Sequence, residues 1–194
     1  MGHRAAAIVT LVCAVGFVAS VALGARATHV INFSTAPAAP RSAKSSFARN
    51  VLGAPKGLEL AKLRRLGVEA FPGETMRLFA APVAGGTFCF EWAYEVGAGS
   101  WIAEESGCSG VQARPLMSSY DDTRVSIVAD RLLVGDVSVK LSNSQVVDPS
   151  LFWVTAPINA GFVLYQPPSG LHVVEVDALQ HGKVVERDPI RPIP

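Results

Sequence analysis

The chain has 194 residues, a formal net charge of +1 at pH 7 and 49% apolar side chains. That length holds one ordinary domain with extensions, and the near-neutral balance supplies neither the basic footprint of a nucleic-acid binder nor an acidic tail. Three cysteines divide into Cys13, inside an apolar N-terminal run, and the pair Cys89 and Cys108.

Residues 5–25 form an unbroken run of apolar and small side chains after Met1-Gly2-His3-Arg4. A helix of about 20 residues crosses the roughly 30 Å hydrocarbon core of a bilayer, so the run is long enough to span. It exceeds the usual h-region of a secretory signal, although Ala25-Arg26-Ala27 has the small-x-small pattern of a cleavage site. Residues 1–27 are therefore read as a transmembrane signal-anchor, with a cleaved signal peptide as the alternative. Arg4 on one side, and Arg26, Arg41 and Lys44 on the other, leave the positive-inside count nearly tied.

Residues 28–55 are rich in Ala, Ser and Pro and show no sustained period, which reads as a flexible linker. Over residues 57–66, Leu60, Leu63 and Leu66 recur at helical spacing while Lys62, Arg64 and Arg65 point away. Gly67 is placed to end a short helix there.

From Thr75 onward the signals are strand and turn, giving a domain over residues 56–188. Residues 75–81 read as a first strand ended by Pro82, and Gly85-Gly86 turns the chain into residues 87–96. There Phe88, Phe90, Trp92 and Tyr94 occupy alternate positions, the period of a strand with one buried face. A Gly/Ser-rich connection over residues 97–107 leads to Gly107-Cys108. Val125, Ile127 and Ala129 alternate with their neighbours, as do Val137, Val139 and Leu141. Residues 152–156 and 162–165 are apolar on both faces, as central strands are. Residues 171–179 and 183–187 complete a hairpin through His181-Gly182. Seven or eight short strands with regular turns predict a mainly β chain folded as a β-sandwich. The proline-rich residues 189–194 read as a loose tail.

Two cysteines without metal-binding company are expected to form a Cys89–Cys108 disulfide, which stabilises by closing a loop of about 20 residues. Such a pair belongs in an oxidising compartment. That consideration places the domain on the extracytoplasmic side of the cell membrane, as a single-pass protein.

The elements Gly85-Gly86-Thr87-Phe88-Cys89-Phe90-Glu91-Trp92 and Gly107-Cys108 resemble a Gly-Gly-x-x-Cys-x-x-Trp … Gly-Cys pattern. That pattern is shared by uncharacterised membrane-anchored proteins of high-GC bacteria. The run Gly161-Phe162-Val163-Leu164-Tyr165-Gln166-Pro167-Pro168 is similar to their internal Phe-x-x-Tyr strand. The resemblance implies an Ig-like or carboxypeptidase-regulatory-like sandwich at the cell envelope, and it brings no activity or site residues with it.

Motifs for chemistry are sparse. No HExxH, CxxC or EF-hand pattern occurs, so neither a metal nor a cofactor is expected. His172 shares an alternation with Val174 and Val176 and is expected to be buried at a strand start. The aromatic stripe is expected to be sandwich core. Its alternative is a binding platform of Phe88, Phe90, Trp92, Tyr94, Trp101 and Trp153 for a peptide or glycan. The functional reading is a non-enzymatic interaction or scaffolding module, held to the membrane by residues 5–25, whose partner is an unidentified envelope protein or glycan and not nucleic acid. An envelope hydrolase using the loop carboxylates Asp121, Asp122 or Glu104 is the alternative.

Overall fold

A computed structural model describes residues 29–51, 55–97, 99–109, 114–121 and 123–190. The expected membrane segment over residues 5–25, and Asp122, lie outside these residues. Among the described residues no helix is long and apolar enough to cross a membrane.

The described residues are mainly β, with one α-helix among them. In order it forms β1 (His29–Ile31), α1 (Arg41–Asn50), β2 (Arg64–Phe71), β3 (Glu74–Val83), β4 (Thr87–Glu95), β5 (Trp101–Ser109), β6 (Leu116–Tyr120) and β7 (Val125–Asp130). There follow β8 (Asp136–Leu141), β9 (Val146–Val147), β10 (Phe152–Val154), β11 (Ala160–Tyr165), β12 (Val173–Gln180) and β13 (Lys183–Pro189). Three sheets result, with orders β2-β3-β4-β5, β1-β10-β11-β7-β6 and β13-β12-β8-β9. They stack in layers with the five-stranded sheet in the middle.

Three apolar cores hold the layers together. Met76, Leu78, Phe88, Phe90 and Trp92 of the first sheet meet Val154, Ala160 and Phe162 of the middle sheet. The other face of the middle sheet packs Ile127, Trp153 and Val163 against Val137, Val139, Leu141 and Val176. On the outside of the first sheet, Ala43 and Phe47 of α1 cover Phe79, Cys89, Ala93 and Trp101. A sheet buried on both faces needs apolar side chains at nearly every position, which accounts for the apolar run of β11 and for that of β7, interrupted by Ser126.

Several expectations are corrected. Residues 57–66 do not form a helix, holding only a single 3-10 turn at Leu60–Lys62 before β2 begins at Arg64. Leu63 and Leu66 are both buried, but in different cores on opposite sides of the first sheet. Residues three apart fall on opposite faces of an extended chain, so spacing that fitted a helix serves a strand, which carries a register shift between Arg65 and Gly67. Residues 28–55 are not wholly a tether, since β1 pairs with β10 and α1 docks on the first sheet. Residues 101–107 are not a loose connection but most of β5, antiparallel to β4. Pro82 lies within β3, past the point where β2 stops pairing at Ala80, where its missing N–H deprives no neighbour. His172 is exposed rather than buried, because a register shift between Val173 and Glu175 breaks the alternation. In the tail, Pro189 still belongs to β13 and the Ile190 N–H donates to the Val174 carbonyl at 3.0 Å. Residues 191–194 lie outside the described ones.

Candidate functional site

The first sheet ends at β5 and the middle sheet at β6, and each of these strands pairs on one side only. A cleft opens between the two layers along these edges. Phe90 and Gly107 line it from the first sheet, and Met117, Ser119, Ser126 and Val128 from the middle sheet. A neighbouring hollow shares Met117 and Val128 and is bordered by Phe88, Arg114, Asp130 and Leu132. Gly107 has a local reason to be glycine, since a Cβ there would come 3.2 Å from the Phe90 ring. Met117 and Leu132 remain exposed. The Ser126 hydroxyl is buried in the cleft wall without a hydrogen-bond partner.

Charged groups close one end of the cleft. Arg124, 8% exposed, pairs with Glu74 and with Glu104 (3.1 Å), and its guanidinium lies 4.4 Å above the Phe71 ring. Ser119 donates to Glu105 Oε2 at 2.9 Å, tying β6 to β5 by side chains alone. Burial raises the pKa of Glu104, with Arg124 opposing and Asp121 and Glu74 adding to the rise. Burial raises Glu105 as well, against its bond from Ser119.

Asp121 behaves differently. Burial disfavours its charge, but Oδ1 accepts from the Thr123 N–H (2.7 Å), the Thr123 hydroxyl (2.8 Å) and the Arg124 N–H (2.8 Å), and the pKa is held below the usual carboxylate value. These three bonds to Oδ1 shape the β6–β7 turn, and the Asp121 side chain also meets that of Glu104. Glu104 is likewise committed to Arg124. The structure thus gives both carboxylates of the hydrolase alternative that it describes a structural task.

The six platform residues do not share a surface. Phe88, Phe90 and Trp92 are buried between the first and middle sheets, with Tyr94 half-buried beside them. Trp101 is buried under α1, and Trp153 between the middle and third sheets. Ring stacking needs an exposed face, and these rings lend theirs to three separate cores. Phe88 and Phe90 each line a hollow at the open sheet edge, and Tyr94 borders a separate one beside Phe71 and Glu74.

Cys89 and Cys108 are bonded (S–S 2.07 Å) as directly opposed residues of β4 and β5. On the same face of β4, Glu91 is 1% exposed. Asn50 of α1 donates to its Oε2 at 3.3 Å, and its Oε1 has no partner. Burial pushes its pKa up to about 7, against the Asn50 bond and the charge of Arg49. The surrounding bonds anchor α1: Ser46 to the Trp101 carbonyl (3.0 Å), Trp101 Nε1 to Ser42 (3.1 Å) and Ser106 to the Asn50 carbonyl (3.1 Å).

Sequence reasoning passed over Glu91, Met117, Arg124 and Ser126. Glu91 did carry a signal, as a carboxylate set among Phe88, Cys89, Phe90, Trp92 and Ala93. A charge inside so apolar a strand is buried or functional.

The architecture and the cleft define a layered, mainly β domain with an open sheet edge. Comparisons with protein-family models, curated proteins and solved structures yield no match.

Proposed function

We propose that this protein is a non-enzymatic binding or scaffolding module of the cell envelope, tethered by residues 5–25 with its folded part outside the cytoplasm. The β5–β6 cleft is its binding surface, and an extended segment of another envelope protein is the ligand. The observation that carries this reading is the mouth of the cleft. Two strands border it, each pairing with another strand on one side only, and an extended segment adds main-chain bonds to such an edge. On β6 it does so by displacing the Glu186 carboxylate that now accepts from the Leu116 N–H at 3.1 Å. Met117 and Phe90 supply apolar contact, while the buried Ser126 hydroxyl awaits a partner. The disulfide supports the compartment, because such bonds persist where the surroundings are oxidising.

The test is a photo-crosslinking residue at Met117 in the full chain, expressed in the native envelope, with the same residue at exposed Val184 of β13 as control. The expected result is a discrete protein adduct at Met117 that is lost when Ser126 is replaced by Val. Identical adducts at both positions, or none at Met117, would overturn the reading. A glycan adduct would move the ligand to the other class.

A further inference from the structure

We propose that the Cys89–Cys108 bond is a thiol–disulfide exchange site, opened by an incoming thiolate at Cys108 Sγ while Glu91 gives its carboxyl proton to the departing Cys89 sulfur. The ligand class is a dithiol reductant, and this activity does not depend on the binding reading above.

The two sulfurs differ in access. Cys108 sits half-buried on the edge strand β5, whereas Cys89 lies on interior β4 and is 0% exposed. Exchange depends on which sulfur can be reached, so approach from the open edge selects Cys108 for attack and Cys89 as leaving group. A thiolate released at Cys89 would lie among Phe79, Ala81 and Ala93, where an unpaired charge is costly. It therefore needs a proton.

Glu91 is placed to give one. It stands two residues from Cys89 on the same strand face, about 7 Å between α-carbons, a span within reach of a glutamate side chain. Its Oε2 is held by Asn50 and its Oε1 is free of any partner. Burial keeps the acid protonated to about pH 7, so the donor is loaded near neutrality. The charged group that faces it from α1 is Arg49. Its cross-strand neighbours Phe79 of β3 and Ser106 of β5 carry no charge.

The step balances as follows. The incoming thiolate bonds to Cys108 Sγ, the Cys89–Cys108 bond breaks with its electron pair on Cys89 Sγ, and that sulfur takes the Glu91 proton. The second thiol of the reductant gives its proton to solvent, attacks its own sulfur in the mixed disulfide and releases Cys108 as a thiolate. Cys108 and Glu91 each take a proton back from solvent. The dithiol leaves oxidised, and the protein holds two thiols.

The experiment uses the full chain and dithiothreitol from pH 5.5 to 8.5, with alkylation quench and mass spectrometry. Rates are divided by the fraction of reductant present as thiolate. The normalised rate is expected to fall about tenfold as pH rises through 7, and to be flat in Glu91→Gln. A merely structural Glu91 predicts the reverse slope, because its ionisation would loosen α1 and speed attack. With glutathione as a single thiol, the mixed disulfide is expected on Cys108, a measurement that needs no variant. A normalised wild-type rate that rises or stays level with pH, or glutathione carried on Cys89, would sink the proposal.

Discussion

Gly161 stands directly across from Trp153 in the β10–β11 ladder, and the indole lies so close that a Cβ on Gly161 would come 2.7 Å from Cζ3 and 2.8 Å from Cε3. A Cβ does not approach another heavy atom closer than 3.0 Å, so an added methyl must move the ring. Trp153 is 5% exposed in the core between the middle and third sheets and has little room to move. Gly161→Ala is therefore expected to destabilise the fold by about 1–3 kcal/mol, read as a lowered urea midpoint with unchanged slope. Trp153→Leu in the same chain should recover part of the loss. Purely additive effects of the two changes would mean that the ring and the glycine are not coupled.

Much of this fold was legible where one rule governed a segment. The β3–β4 hairpin, β8 with its exposed Lys140, and the β12–β13 hairpin turning on His181-Gly182 all follow from alternation and turn chemistry. The disulfide followed from the count of cysteines. What escaped was set by tertiary partners. α1 buries Ala43, Ser46 and Phe47, a stripe with a single large apolar side chain and no signal by itself. β5 carries Glu104, Glu105 and Gly107 at positions decided by a bulge opposite Trp92. The cleft was not legible at all, because it arises from where two sheets happen to end.

A helix of 10 residues is marginal alone, so α1 exists by docking. Phe47, fully buried beneath it, packs with Phe79 and Trp101. Phe47→Ala is expected to cost about 3–5 kcal/mol. A chain starting at residue 55 should be less stable still, and should bind hydrophobic dyes through the bared outer face of the first sheet. Equal stability of that chain and one starting at residue 29 would show that the helix contributes nothing.

Arg124, the residue that leads into β7 of the middle sheet, pairs with Glu74 of β3 and Glu104 of β5 in the first sheet. Its loss leaves two partly buried carboxylates facing each other without a cation. Arg124→Met keeps the contact with Phe71 but removes the charge, and is expected to cost about 2 kcal/mol. That lies below the cost for a fully buried pair, because solvent reaches both glutamates. Adding Glu104→Gln should return part of the loss, whereas Glu104→Gln alone in the wild-type chain should not stabilise. No recovery in the double variant would mean that the pairing is not the source of the effect.

Glu91 makes the sharpest claim about pH. Its folded pKa is about 7 against an ordinary value of 4.5, so the fold favours the protonated acid. The stabilisation is then fully present below about pH 4.5, declines as pH rises, and is gone above about pH 7. A difference of about 2.5 units amounts to roughly 3 kcal/mol. Glutamine matches the shape of the protonated acid and does not titrate. Glu91→Gln should therefore match the wild-type chain near pH 4.5 and exceed it by up to about 3 kcal/mol at pH 8. Urea midpoints measured on both chains across that range decide the matter. Parallel curves would mean that Glu91 ionises freely in the folded protein, through an opening of α1 that admits water to its Oε1.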